Sequence, residues 1–233
     1  MKRRTLALAL ALAAACVRAE APVEPEAVSF EASDGGVVHA DRYGEGGHWV
    51  VLVHGGQFDK GSWAEQARRL AAEGFTALAI DLRGYGRSKA GSASEAPSLL
   101  DEGYPLDVLA AARFARAEGA REVSVVGGSL GGWAAGRAAV AAEVGEIDRL
   151  VLLAHSPVEE PERMQGRKLF ILAEGDVRGE GIPRLPDIRD QYERAPGPKE
   201  LVLLEGSAHA QHLFATDQGA RLMEEILRFL RVP

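Results

Sequence analysis

The stretch Gly127-Gly128-Ser129-Leu130-Gly131 sets one serine among small residues, after an apolar run and before a helical pattern. Three chemistries use a glycine-rich turn between strand and helix. A dinucleotide loop, G-x-G-x-x-G, would place Ser129 at its second glycine, where a side chain obstructs the pyrophosphate. A phosphate loop needs a lysine after its last glycine, and here Gly132 is followed by Trp133 and Ala134. The third, G-x-S-x-G, is met in full: a sharp turn that lifts a nucleophilic hydroxyl above a sheet. The plain alternative is a serine that only packs in a turn.

The third chemistry makes a demand on the rest of the chain. A serine hydroxyl is a poor nucleophile at neutral pH, so a histidine must take its proton and an acid must orient that histidine. The acid should follow a late strand and the histidine the last one. Asp176 lies just past KLFILA (Lys168–Ala173), and His209 just past ELVLL (Glu200–Leu204). The oxygen that turns negative needs two backbone N–H donors: Leu130, next to the serine, and a second from the glycine-rich loop His54-Gly55-Gly56-Gln57.

These residues need a scaffold that brings strand ends together. AVSFEAS, DGG and VVHADRY predict a β-hairpin turning at Asp34-Gly35-Gly36. WVVLV (Trp49–Val53), TALAID, EVSVV, RLVLLA, KLFILA and ELVLL are continuous apolar runs of strand length, as where both faces of a sheet are covered. Helical patterns lie between them. SWAEQARRLAAEG reads as a helix capped by Ser62 with Glu65 at the capping-box position and closed at Gly74; PLDVLAAARFARAEG closes at Gly119 in the same way. LGGWAAGRAAVAAEVG and the terminal ARLMEEILRFLRV share the helical period. Alternating strands and helices predict an α/β fold, a mainly parallel sheet with helices on both faces and an antiparallel hairpin at its start.

With these motifs together, the chain resembles the α/β-hydrolase fold family. HGGQFDKGSW (His54–Trp63) is similar to the oxyanion loop of its small lid-less serine esterases and perhydrolases, and DLRGYGRS (Asp81–Ser88) to the family's D-x-R-G-x-G-x-S turn. The resemblance implies Ser129 as nucleophile, His209 as general base, Asp176 as orienting acid, and oxyanion N–H groups from Gly56 and Leu130. It implies no metal or organic cofactor. The alternative acid is Glu174 and the alternative base His212, which would begin the terminal helix. His209 and His212 as a metal pair lack a supporting acid or cysteine cluster. Gln57, Gly128 and His155 are the expected substrate contacts; Gly128 leaves the point before the serine bare and widens the pocket, whereas His155 either lines it or only sits in a loop. His54 braces the oxyanion loop, His39 and His48 read as exposed strand-end residues, and Arg83 and Ser88 hold the Asp81 turn.

Serine at the elbow points to acyl transfer. The expected activity is hydrolysis of small carboxylic esters through an acyl-enzyme; a peptidase, amidase or thioesterase would use the same three residues, and a non-catalytic envelope binding protein is the reading from another class. HSPVEEPERMQGR, between RLVLLA and KLFILA, is too short for a cap domain, so the site should be open. Glu159, Glu160, Glu162, Asp176 and Glu180 are expected near its mouth, where they would disfavour anionic substrates.

The 233 residues are 46% hydrophobic and 26% charged, which suits one globular catalytic domain over 27–233. The net charge of −7 with no internal basic run argues against nucleic acid as a partner. MKRRTLALALALAAAC pairs a basic start with a short apolar run, the pattern of an export signal over 1–15. Ala13-Ala14-Ala15-Cys16 resembles a lipoprotein box, which implies lipidation of Cys16, membrane anchoring and a periplasmic or outer-membrane location. Cleavage after Ala19 or Ala21 is the rival and would give a free periplasmic or secreted protein. Residues 16–26 then form a Pro/Ala/Glu tether.

Overall fold

The computed structural model describes residues 24–90 and 100–232. Cys16, the signal segment and nearly all of the tether lie outside the described residues. The strand β1 (Glu26–Glu31) begins at the last tether position, so ordered pairing starts there.

An eight-stranded sheet in the order β1-β2-β4-β3-β5-β6-β7-β10 organises the chain. The hairpin of β1 and β2 (Val37–Tyr43) is antiparallel, and β2 is antiparallel to β4 (Thr76–Ile80). From there β4, β3 (His48–Val53), β5 (Glu122–Gly128), β6 (Arg149–Leu153), β7 (Arg167–Ala173) and β10 (Lys199–Leu204) run parallel. Every residue of β4 and β6 is buried, as their unbroken apolar runs require beneath two helical layers. Each buried Val, Leu or Ile contributes roughly 1.5–3 kcal/mol of transfer free energy.

The helices α2 (Leu100–Ala117), α3 (Leu130–Ala141) and α4 (Leu185–Arg194) form one layer, with α2 on α3 and the turn Pro161–Arg163 bridging α3 to α4. On the other face α1 (Ala64–Ala72) and α5 (Gly219–Arg231) border a common groove. Spacings of three, four and seven put Leu222, Ile226, Leu227, Phe229 and Leu230 of α5 against the core. Between β6 and β7 stands only the short loop with the Pro161–Arg163 turn, so no cap is inserted. Among the described residues no helix is long and apolar enough to cross a membrane.

Three local expectations change. Ser62 does not cap α1: a turn of 3-10 helix (Lys60–Trp63) comes first, capped by the Asp59 side chain on the Gly61 N–H, and the Ser62 hydroxyl donates back to the Asp59 carbonyl. Arg83 holds the turn through distant partners rather than through Asp81. It is wholly buried between Asp107 of α2 and Asp34 of the β1–β2 turn, while the Asp81 carboxylate accepts from the Lys60 N–H at 2.8 Å. His48 is half-buried, hydrogen-bonded to the Ser124 hydroxyl at 2.7 Å. Both α1 and α2 end as the sequence implies, with Gly74 at φ 86° and Gly119 at φ 91° turning the chain out of the helix.

Candidate active site

Ser129 leaves β5 and enters α3 with φ 53° and ψ −113°. That backbone is strained for a residue with a Cβ, by roughly 1–3 kcal/mol. The turn is this tight because its neighbours have no side chain. A Cβ on Gly127 would stand 2.3 Å from the Gly131 carbonyl oxygen, one on Gly131 would stand 2.3 Å from that of Val53, and one on Gly132 would stand 2.8 Å from the His155 Cβ. Close backbone contact, rather than backbone angle, demands glycine there. The Ser129 N–H donates to the Leu153 carbonyl at 2.9 Å, which pins the turn to the neighbouring strand.

His209 and Asp176 arrive from loops after β10 and β7. The two loops are joined by backbone, with Glu174 N–H on the Leu204 carbonyl and Gly175 N–H on the Gly206 carbonyl, each at 2.9 Å. His209 Nε2 then lies 2.8 Å from the Ser129 hydroxyl and Nδ1 lies 2.7 Å from Asp176 Oδ2. A carboxylate only accepts, so Nδ1–H donates to Asp176 and Nε2 is left as the acceptor for the serine proton. Asp176 is 1% exposed, whereas Glu174 faces solvent and takes no part. His212 is exposed too, its ring 5.1 Å from that of Phe58, and it sits in a 3-10 turn (Ala210–Ala215) rather than in α5.

The loop after β3 is held from three sides. His54 is fully buried; its Nε2 accepts the Leu82 N–H at 3.1 Å, so Nδ1 carries the proton and donates to the Gly55 carbonyl at 2.9 Å. Burial lowers the pKa of His54 and keeps it neutral in this role. Tyr85 donates its hydroxyl to the Gly56 carbonyl at 3.1 Å. Gln211 is the third brace: Oε1 accepts the Gly55 N–H at 2.7 Å while Nε2 donates to the Ser62 hydroxyl at 2.9 Å. The N–H groups of Gly56 and Leu130 have no acceptor among the described residues, and both residues border the cleft beside Ser129.

A family model described as the alpha/beta hydrolase family matches residues 50–228. The chain belongs to that family. No curated protein matches it. Among solved structures, a predicted CIB-like hydrolase from Thermoplasma acidophilum has a TM-score of 0.72 at 17% identity, over 90% of this chain and 99% of that one. The Pyrococcus furiosus esterase Pf2001 has 0.70 at 19%, over 88% and 93%, and the esterase EaEST from Exiguobacterium antarcticum 0.69 at 14%, over 89% and 100%. At such identities the likeness is one of fold.

The cleft of this alpha/beta hydrolase is open and about 410 Å³, and includes Gly56, Gln57, Ser129, Leu130, Arg184 and His209. A groove of about 450 Å³ between α1 and α5 is larger, but its lining of Glu65, Arg69, Phe214, Met223 and Glu224 pairs no nucleophile with a base. Gln57 is exposed at the cleft. His155 is not there. It is 1% exposed, with Nε2 3.2 Å from Gln191 Oε1 of α4, and burial pushes its pKa down to about 4. Gly128 does not widen the pocket either, since a Cβ there would already lie 3.2 Å from the Gln211 Cγ. Of the acids expected at the mouth none lines the cleft: Asp176 is buried against His209, and Glu159 pairs with Arg137, Glu160 with Arg163 and Glu162 with Arg194. No cluster of potential metal ligands occurs among the described residues.

Two residues that line the cleft were not singled out in the sequence, Gln211 and Arg184. Gln211 gives one signal, a lone amide in the otherwise small and apolar start of the turn after His209. Arg184 gives none beyond its place between the acid and a helix start.

Proposed function

We propose that this chain hydrolyses small carboxylic esters through an acyl-enzyme, with Ser129 as nucleophile, His209 as general base and Asp176 as the acid that orients it. The observation that carries this reading is the unbroken hydrogen-bonded line from the Ser129 hydroxyl through His209 to buried Asp176, opening on a cleft beside two unused N–H groups. As the Ser129 oxygen attacks the carbonyl carbon, its proton passes to His209 Nε2, and Asp176 stabilises the imidazolium through Nδ1–H. The carbonyl π electrons move onto the oxygen, which the Gly56 and Leu130 N–H groups stabilise. Collapse breaks the ester C–O bond, and His209 returns its proton to the departing alkoxide. Water then attacks the acyl-serine with His209 again taking a proton, and release of the acid restores the serine. The short β6–β7 loop, which carries no cap, suits small or partly solvated substrates.

Labelling with a fluorophosphonate and assay of short 4-nitrophenyl esters test this directly. Wild type should label and turn over, and Ser129→Ala should do neither, with a loss of at least about 10³-fold in kcat. A folded wild type that neither labels nor turns over would remove the reading.

A further inference from the structure

One charge at the cleft has no place in that mechanism. Arg184 follows the small hairpin of β8 (Val177–Arg178) and β9 (Ile182–Pro183), and its backbone N–H donates to the Asp176 carbonyl at 3.0 Å. The residue lines the cleft with Ser129 and His209, and its side chain is 18% exposed. Nε lies 3.5 Å from Asp176 Oδ1 without a hydrogen bond, and both atoms are buried and unpartnered among the described residues. The two terminal nitrogens also make no hydrogen bond among the described residues, and unlike Nε they are not shut away from solvent. The nearest surface acid in sequence, Asp187, is engaged by Arg178 at 2.9 Å. No Asp or Glu is among the residues lining the cleft.

Asp176 balances the charge of Arg184 in part, without a hydrogen bond to it. Oδ2 is already taken by His209 and only Nε of Arg184 approaches Oδ1, so the two terminal nitrogens are left at the cleft with donors to spare. A planar fork of N–H donors suits a carboxylate, which it can hold by two hydrogen bonds at once. We propose that Arg184 forms a subsite for a carboxylate carried on the acyl chain, so that the cleft prefers half-esters of dicarboxylic acids to neutral esters. This rests on the esterase reading above and names its substrate class.

The test compares 4-nitrophenyl hydrogen adipate with its neutral methyl-capped counterpart, which shares the chain and the leaving group. Wild type should favour the free carboxylate by about tenfold in kcat/KM, mostly through KM, and added salt should shrink the preference. Arg184→Gln should bring the ratio of the two close to one, and Arg184→Lys should restore part of it. The ratio is the readout, so a general loss through Asp176 cancels. An unchanged ratio in Arg184→Gln, or no preference in wild type that turns over the neutral ester, overturns the inference and leaves the esterase reading intact. Failure on both esters without fluorophosphonate labelling overturns both.

Discussion

The two ends of the parallel strands handle difficult backbone differently. At the amino end, every described residue with φ in the left-handed range is glycine: Gly44, Gly74, Gly119, Gly145 and Gly166. At the carboxyl end glycines such as Gly84, Gly86 and Gly206 are joined by residues with side chains, Ser129, Ala154, Glu180 and Ala210. Two of these flank the chemistry, one being the serine itself and the other the residue after His209. The amino end also settles its buried charge locally: Lys168 donates to the carbonyls of Gly166 and Pro196 at 2.6 and 3.2 Å, although burial lowers its pKa to about 8. The carboxyl end leaves His155 Nδ1, Asp176 Oδ1 and Gln191 Nε2 buried without partners. Left-handed backbone at residues with side chains thus collects where the candidate site lies, whereas unmatched polar atoms occur at both ends, Arg149 Nε at the start of β6 among them.

Three measurements would break or sharpen that contrast. The largest effect should come from His155. Its pKa falls from 6.5 to about 4 on burial, so between those values the unfolded chain binds a proton that the folded chain refuses. Stability therefore declines as pH drops through that window, by up to about 3 kcal/mol from this residue. Urea unfolding at pH 7 and pH 4.5 should show a steeper decline for wild type than for His155→Gln, and matching slopes would remove the assignment. Next, Ser129→Gly and Ser129→Ala should both be inactive, but the glycine variant should be the more stable by about 1–2 kcal/mol, because only it relieves φ 53°. Equal midpoints in thermal unfolding would mean that the elbow stores no strain. The smallest effect belongs to the amino end. A Cβ on Gly74 would meet nothing within 4 Å, so Gly74→Ala should cost up to about 1 kcal/mol from its φ alone and leave kcat/KM as it was. A change in turnover there would undo the separation of the two ends.

Much of this was legible in the residues because the signals were local. Buried parallel strands need unbroken apolar runs, and RLVLL and TALAI read as nothing else. Ser129, Asp176 and His209 each follow such a run, so their order along the chain predicted their meeting in space. What escaped depends on partners far away in sequence. Gln211 matters because it bonds Gly55, 156 positions earlier, and no periodicity reports that. Glu159 and Glu162, expected near the mouth, are instead paired with Arg137 and Arg194, from other elements. The helix α4 buries only Ile188 and Gln191, too little for an apolar stripe. At Ser62 two cap-type residues compete three positions apart, and the preceding 3-10 turn decided for Asp59. His155 shows the remaining ambiguity: the end of a strand does not say whether the next side chain turns toward the cleft or beneath it.

The contact between Gly128 and Gln211 has a practical consequence for anyone who wishes to reshape this pocket. The amide side chain occupies the room that a larger residue before the serine would need, and it is also the tie that holds Gly55. The two positions are therefore one design variable. Libraries that vary either alone will sample mostly clashes or slack loops, whereas paired changes that trade volume between them can reach new shapes with the loop after β3 still tied down.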